Sequence, residues 1–312
     1  MALSQTLEIF DLLDHPRVDG AAVAEHLRRR GLERVEVQTV RGEQGATDFV
    51  RVVVPGTAGR LAGGGAPTLG VIGRLGGIGA RPERIGMVSD GDGAAAALAA
   101  ALKLGDMAQR GDRLPGDVIL VTHICPCAPV RPHQPVPFMG APVTSAVMNR
   151  HEVEAAMEAI LSIDTTRGNR LVNRRGIAIT PTVKEGYILR TSEDLLDILQ
   201  WVTGQLPSVL PLTTQDITPY GNGLFHINSI LQPAAATAAP VVGVALTAET
   251  AVPGCATGAS HAVDIELAVR FALEVAKAYG AGQAAFFDAG EFARIVGLYG
   301  SMRHLQTQGQ GI

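Results

Sequence analysis

The sequence predicts an α/β fold with a central, mostly parallel mixed sheet flanked by helices on both faces. Short apolar runs at residues 68–72, 118–121, 160–163 and 241–246 are typical of strands that are buried on both faces. Stretches with apolar residues at helical spacing alternate with these runs, as in sheets with crossover helices. The 312 residues exceed the usual size of a domain but suit one large α/β domain, so we expect a single catalytic-type domain over residues 1–312.

Composition narrows the class of partner. Lys plus Arg number 26 against 30 Asp plus Glu, so no basic excess indicates nucleic acid. No run reaches the roughly eighteen apolar residues of a membrane span, and the first residues lack the features of a signal peptide. Three cysteines cannot all pair, which favours a reducing compartment. We expect a cytoplasmic homo-oligomer with a small-molecule or short-peptide substrate and with no nucleic-acid or membrane partner.

The elements follow from the same patterns along the chain. Helices are predicted over 7–13 and 21–30, the second ending in three arginines that suit a helix C-terminus, and strands over 35–40 and 48–54. The glycine-rich loop at 73–79 matches neither the dinucleotide nor the Walker pattern. The proline-dense residues 129–143 predict an ordered rim, and residues 301–312 a frayed tail. The remaining predictions are a strand at 176–180 and helices at 152–159, 192–203, 224–231, 263–278 and 288–298, with Ser192 as an N-cap.

Polar residues occur where predicted strands end or helices begin. They are Asp90 and Asp92 before an alanine-rich helix, His123, Cys125 and Cys127 after the next strand, Asp164 after the strand at 160–163, and His261 before the helix at 263–278. The carboxyl ends of parallel strands meet at one sheet edge, where ligands bind. Carboxylate, imidazole and thiolate are ligands of zinc and related ions. Singly, each residue has a structural explanation, such as Asp90 as a helix N-cap, but their joint placement favours a metal site.

The order and spacing of these motifs resemble the co-catalytic zinc exopeptidase superfamily, which includes glutamyl and leucyl aminopeptidases and succinyl-diaminopimelate desuccinylase. The resemblance covers nearly the whole chain and rests on D-F-V-R-V-V-V-P-G, T-L-G-V-I-G, D-G-D-G before the alanine-rich helix, L-P-G-D-V-I-L-V, S-I-D-T-T-R-G-N and a late histidine before a long helix. It implies a zinc-aminopeptidase-like fold. It also implies that Asp90 bridges metal ions and that Asp164 and His261 are further ligands.

The chain departs from that family's pattern at two places. The family has His-x-Asp after the first buried strand, where this chain has Arg74-Leu75-Gly76, and a Glu-Glu pair where this chain has Cys125-Pro126-Cys127. The family's general base and one ligand then fall on Pro126 and Cys127, or on neighbouring Cys125 or His123. One metal position keeps three plausible ligands, so we expect one divalent metal ion per chain, zinc, on Asp90, His261 and Cys127.

The first functional hypothesis is a divergent metal-dependent hydrolase of an amide or small peptide-like substrate. Zinc would lower the pKa of a bound water, and Arg74 would receive a carboxylate at the vacated metal position. The general base is left open among four residues: His123, Glu185, Glu249 and Asp92.

Two alternatives come from other classes. In the first alternative, the protein is a non-catalytic, peptidase-like relative that binds a small ligand or partner. This alternative arises because loss of the family's base costs several orders of magnitude in rate. As a lesser alternative, Cys125 or Cys127 is a nucleophile with His123 or His261 as its base.

Overall fold

The computed structural model describes residues 1–15, 17–74, 87–126, 128–131, 138–250 and 260–309. The helices in this part of the chain are α1 (Leu3–Leu13), α2 (Gly20–Arg29), α3 (Asp92–Gln109), α4 (Ser145–Glu152), α5 (Glu193–Thr203), α6 (Ala262–Gly280) and α7 (Ala289–Tyr299). The strands are β1 (Val35–Gly42), β2 (Gly45–Val54), β3 (Leu69–Gly73), β4 (Val118–Ile124), β5 (Val130–Arg131), β6 (Phe138–Met139), β7 (Ala159–Thr165), β8 (Gly176–Ile179), β9 (Val183–Lys184), β10 (Tyr187–Ile188) and β11 (Val241–Thr247).

The main sheet of the described chain is mixed and parallel at its centre. Its strand order is β1-β2-β4-β3-β7-β11-β9-β10. A ninth strand, β8, also pairs with β11 but is not part of this linear order. β3 is parallel to both β4 and β7, and β7 is parallel to β11. β2 is antiparallel to β4, and β8 and β9 are antiparallel to β11. The predicted fold class, an α/β protein with a mostly parallel mixed central sheet and flanking helices, is confirmed.

Apolar side chains pack against both faces of this sheet. α1, α2, α3, α5 and α6 share one core cluster with alternate residues of the strands. The opposite face packs against Met157 and against apolar residues from the segment between β10 and β11, including Leu210, Ile217 and Ile230. Because both faces are covered, β3, β4 and β11 are buried along their whole length, which accounts for the continuous apolar runs in their sequences.

The N-terminus of α3 approaches the end of β3 so closely that two glycines are required. A Cβ on Gly93 would lie 2.5 Å from the carbonyl oxygen of Ile163 and 2.6 Å from that of Arg74. A Cβ on Gly73 would lie 2.5 Å from the carbonyl oxygen of Gly93. Real Cβ atoms do not approach backbone oxygens this closely, so these glycines fix the start of α3 against the ends of β3 and β7.

Two predicted helices are wrong. The helix predicted over 152–159 does not form. α4 ends at Glu152, and the acidic residues beyond it pair with arginines elsewhere in the chain. Glu154 binds Arg51 of β2, and Glu158 binds Arg60. The helix predicted over 224–231 is absent, since Asp216 accepts hydrogen bonds from the backbone of residues 227 and 228 and holds that segment in turns.

The predicted tail and rim are both ordered where the structure describes them. Gln306 donates to the carbonyl oxygens of Ala234 and Thr237, and Arg303 pairs with Glu185, so residues 301–309 pack on the protein and the predicted fraying is wrong there. The proline-dense segment forms the antiparallel pair β5 and β6, and its residues 132–137 lie outside the described part. None of the described helices has the length and apolarity needed to cross a membrane.

Candidate functional site

The ends of the central parallel strands bring charged residues to one edge of the sheet. Arg74 follows β3, His123 is the sixth residue of β4, and Asp164 is the sixth residue of β7. Gly73 of β3 is in register with both Thr122 and Ile163, so these three positions lie side by side. Asp90 and Asp92, at the start of α3, reach the same edge. The predicted gathering of carboxylates at a sheet edge is therefore present.

A cavity of about 790 Å³ opens at this edge. Asp90, Asp164 and the two threonines that follow Asp164 form its charged and polar wall. α4 and the preceding rim contribute Val143 and Met148, the segment between β10 and β11 contributes side chains that include Phe225, and Gln308 comes from the C-terminal segment. The cavity thus has two carboxyl groups on one side and apolar groups around them, as in many small-molecule sites.

Asp90 and Asp164 have raised pKa values and influence each other. Burial, followed by the charges of Asp164 and Asp92, raises the pKa of Asp90 to about 7. Burial raises the pKa of Asp164 to about 6, although hydrogen bonds oppose the shift: Ser229 Oγ donates to its Oδ2 at 2.8 Å and the Thr165 N–H to its Oδ1 at 2.7 Å. Near neutral pH the pair therefore holds both a proton and a negative charge.

Asp92 is the first residue of α3, and its carboxylate is hydrogen-bonded to other side chains. Its carboxylate accepts hydrogen bonds from Arg167 Nη2 and Ser260 Oγ, although burial still raises its pKa to about 6. Arg167 adopts a positive φ of 52°, an unfavourable backbone conformation for a residue with a Cβ. The N-cap of α3 is Gly91, with no side-chain cap hydrogen bond, so the interpretation of Asp90 as a helix N-cap is wrong.

Arg74, Glu152 and His123 form a buried charged cluster behind the cavity wall. Arg74 Nη1 donates to Glu152 Oε2 at 2.5 Å, and His123 Nδ1 lies 2.9 Å from Glu152 Oε1. All three side chains are at most 2% exposed. Burial favours the neutral form of Glu152, but the charge of Arg74 and the hydrogen bond from His123 outweigh it and lower the pKa of this carboxyl. Arg74 thus pairs with Glu152, a residue that the sequence did not indicate, and the expected pairing of Arg74 with a carboxylate of the substrate stays a prediction.

The other predicted site residues are more dispersed. His261 is exposed at the N-cap of α6, and Glu249 is exposed just after β11. Cys125 is buried, with its Sγ 3.7 Å from the carbonyl oxygen of Ala46, and Cys127 lies outside the described residues. Glu185 pairs with Lys184 and Arg303 in the turn between β9 and β10. In the part of the chain that the structure describes, no three His, Cys, Asp or Glu side chains are arranged to hold a metal ion.

Sequence reasoning missed the segment at 213–231, which forms one side of the cavity. Asp216 is fully buried and accepts hydrogen bonds from the backbone of residues 213, 227 and 228, which fixes the position of Ser229 next to Asp164. Tyr220 also borders the cavity and is hydrogen-bonded to Ser229, and burial, with the charge of Asp164, raises its pKa to about 12. The sequence Tyr220-Gly221-Asn222-Gly223 is typical of a turn, but nothing local links it to Asp164.

Comparison with known families matches residues 38–309 to a family described as Protein of unknown function (DUF1177). The chain belongs to this family. The match to DUF1177 includes every residue of the cavity wall and of the buried charged cluster, so the site lies inside the part that defines membership. No curated protein matches the sequence. Membership of DUF1177 carries no activity with it, and function has to be argued from the site.

Proposed function

We propose that the protein is a divergent hydrolase of an amide or small peptide-like substrate, with its reaction centre where Asp90 and Asp164 border the cavity. The observation that carries the proposal is that two carboxyl groups with raised pKa values border one concave space. Titratable groups that lie in a cleft and have pKa values shifted toward neutral pH are characteristic of acid-base sites. The resemblance to zinc exopeptidases supports the same class of reaction, because it implies functional roles for these two residues.

The carboxyl pair supplies the proton transfers that hydrolysis of an amide needs. The ionised carboxylate accepts a proton from the attacking water, and the protonated carboxyl donates to the leaving nitrogen. One of the two carboxyls is the expected base and the other the expected acid, because the pKa of Asp164 is about 6 and that of Asp90 is about 7. Because their charges interact, the two groups titrate as a unit, and an activity profile would report pKa values of the pair.

Two hydroxyl groups support this chemistry. Ser229 donates to Asp164 Oδ2 at 2.8 Å, which orients the carboxylate toward the cavity in a fixed conformation. Tyr220 keeps its proton at any working pH, because its pKa is about 12. A neutral phenol at the cavity wall can donate a hydrogen bond to an oxygen that gains negative charge during attack by water.

A divalent metal ion, zinc, is the cofactor that the resemblance implies, and the described residues do not fit the predicted set of ligands. His261 is exposed, Cys125 packs against β2, and His123 is held by Glu152. Among the described residues, Asp90 and Asp164 give two carboxylates, fewer than a tetrahedral zinc centre requires, and the predicted ligand Cys127 lies outside the described part. No step is therefore assigned to a metal ion, and its presence stays a prediction for elemental analysis of untagged protein.

A second candidate function is a non-catalytic protein that binds a small ligand. It is favoured by the buried pair of Arg74 and Glu152, which occupies a position where the resemblance implies a metal ligand. The cysteine-nucleophile hypothesis gains no support from Cys125, which is 2% exposed and is not among the side chains that border the cavity.

The test is hydrolysis of a panel of amino-acid anilides and N-acyl amino acids by untagged protein, with and without added zinc or chelator. We expect activity that Asp90→Asn and Asp164→Asn each reduce by about a hundredfold or more, since acid-base groups contribute roughly that factor. Asp197→Asn, an exposed carboxyl on α5, is the matched control and should retain activity. Activity that survives both cavity substitutions would refute the assignment of the site, and binding without hydrolysis would favour the second candidate.

A cytoplasmic location and a homo-oligomeric state remain proposals based on composition. Light scattering on purified protein tests the oligomeric state directly. α7 has no buried residue, and its Leu298 and Tyr299 are 62% and 74% exposed, so this helix is the surface to examine if an oligomer is found.

A further inference from the structure

Arg74 uses only part of its guanidinium group. Its Nη1 donates to Glu152, whereas its Nε and Nη2 are buried and have no hydrogen-bond partner among the described residues. Nε and Nη2 lie along one edge of the planar group. A carboxylate or phosphate binds to such an edge through two parallel hydrogen bonds. Arg74 therefore keeps a complete anion-binding edge that its own ion pair does not use.

Other arginines of the chain show what this edge normally does. Arg51 donates through Nε and Nη2 to the two carboxylate oxygens of Glu154 at 2.5 and 2.9 Å. Arg60 binds Glu158 through the same two nitrogens at 3.4 and 2.7 Å. Arg167 differs, because its Nη2 binds Asp92 and only Nε and Nη1 remain. Of these four described arginines, only Arg74 has both donors of the edge unpaired.

Burial makes the unpaired donors of Arg74 informative. The side chain is 1% exposed, so bulk water does not reach the unpaired donors as it does at a surface arginine. Leaving buried N–H groups unpaired is costly, so each of them calls for a partner, such as an ion that the protein binds. Glu152 holds the guanidinium from one side, and His123 in turn holds Glu152, which keeps the orientation of Arg74 fixed while its second edge stays unpaired.

Arg74 lies near the cavity, although its side chain is not among those that border it. Its backbone N–H donates to the carbonyl oxygen of Ile163 at 2.8 Å, directly before Asp164. Asp164 and Tyr220, which both border the cavity, lie within the range of its charge. A group bound to the Nε and Nη2 edge would thus be close to the proposed reaction centre.

We propose that the Nε and Nη2 edge of Arg74 is a subsite for a carboxylate of the substrate, so that the protein acts on, or binds, a small molecule with a free carboxylate near its amide. Binding of an anion at this edge does not depend on catalysis, whereas the inference that the anion is part of a substrate rests on the proposed function. Glu152 is then a positioning residue that holds Arg74 and touches no ligand. The nearby carboxylate of Asp164 repels a bound anion and weakens its binding, so we expect a small anionic probe to bind with a Kd of about a millimolar.

The probes are benzoate and benzamide, which have the same shape and differ in charge. Their rings suit the apolar part of the cavity wall, at Met148 and Phe225. Calorimetry or ligand-observed NMR on wild-type protein should give about tenfold or more tighter binding of benzoate, because only the carboxylate accepts two charge-assisted hydrogen bonds. Equal binding of the two probes would overturn the proposal, and this comparison needs no variant.

Substitution then assigns the binding to Arg74. Arg74→Lys keeps the positive charge next to Glu152 but has no bidentate edge, so benzoate binding should weaken about tenfold or more while benzamide binding is unchanged. Arg51→Lys is the matched control, since its edge already binds Glu154, and it should bind benzoate like the wild type. Unchanged benzoate binding in folded Arg74→Lys protein would overturn the proposal. If that variant fails to fold, a crystal soak of wild-type protein replaces it, and benzoate bound away from Arg74 is the contradicting result.

Failure of the proposed function has a different signature. Benzoate binding requires no turnover, so a protein that binds benzoate through Arg74 but hydrolyses no member of the panel would refute the hydrolase and leave the anion subsite supported. A protein that hydrolyses amides but does not distinguish benzoate from benzamide would refute the subsite and leave the hydrolase supported.

Discussion

Asp90→Asn is expected to stabilise the metal-free protein near neutral and alkaline pH, because it removes a charge that the fold makes costly. Burial and the charges of Asp164 and Asp92 raise the pKa of Asp90 from 3.8 to about 7. A shift of about three units corresponds to a penalty of about 4 kcal/mol on the ionised form. Asp90 also borders the cavity, where water screens its charge, so we expect about half of this, ~2 kcal/mol, in the measured free energy of unfolding.

The sign of the pH dependence follows from proton binding. The folded protein binds a proton at Asp90 more tightly than the unfolded chain does, so the contribution of this group to stability is complete below about pH 4 and is lost as the pH rises to about 7. Asp92 and Asp164, with pKa values of about 6, act in the same direction in the wild type and in the variant. The difference between the two proteins therefore reports Asp90 together with its interaction with Asp164 and Asp92.

Urea unfolding at several values between about pH 5 and about pH 8, on chelator-treated protein, measures this difference. A chelator is needed because a cation bound by the carboxylate would stabilise the wild type. Asp197→Asn on α5 should show no pH-dependent difference. The reasoning is refuted if Asp90→Asn shifts stability equally at all pH values, or if it destabilises the protein near pH 8 by about 1 kcal/mol, the size of a lost hydrogen bond.

Three further predictions concern packing and charge. Glu152→Gln should lower the free energy of unfolding in urea by about 3–5 kcal/mol, since it removes one charge of a buried pair. Glu154→Gln, at a partly exposed pair, should lower it by about 1 kcal/mol or less, and similar losses in the two variants would contradict this. Gly93→Ala should destabilise by about 2 kcal/mol or more because its Cβ would meet two backbone oxygens, while Gly297→Ala, facing open space in α7, should stabilise by up to about 1 kcal/mol; equal melting temperatures would contradict this. Buried Cys125 should stay unreactive toward iodoacetamide with or without chelator, and labelling of its peptide that appears on chelation would contradict this.

The sheet could be predicted because its centre obeys a local rule. β3, β4, β7 and β11 are each short, apolar and buried, and runs of this kind are recognisable without knowledge of their neighbours. Residues 152–159 show the limit of such rules. Their helical pattern is real, but the pairs of Glu154 and Glu158 with arginines of other elements outweigh a propensity of a few tenths of a kcal/mol per residue.

The site was predictable only where position along a strand decides it. Asp164 and Asp90 were identified because a strand end and a helix start place them at the sheet edge regardless of tertiary detail. Glu152 and Asp216 act through contacts 78 and 11 residues away along the chain, which no local pattern encodes. His261 also occupies its predicted position before α6, yet its side chain is exposed, and a strand or helix boundary does not determine side-chain direction.

The ion pair of Arg74 explains why the two kinds of carboxyl behave differently. A buried guanidinium keeps its charge and needs a carboxylate partner, and Glu152 fills that need, which lowers the pKa of Glu152. Among the described residues, no guanidinium pairs directly with Asp90 or Asp164, and their pKa values rise instead. A metal ion between Asp90 and Asp164 would reverse that rise, as would a cationic ligand. Elemental analysis of untagged protein therefore decides between proton transfer by the pair alone and chemistry assisted by a cation.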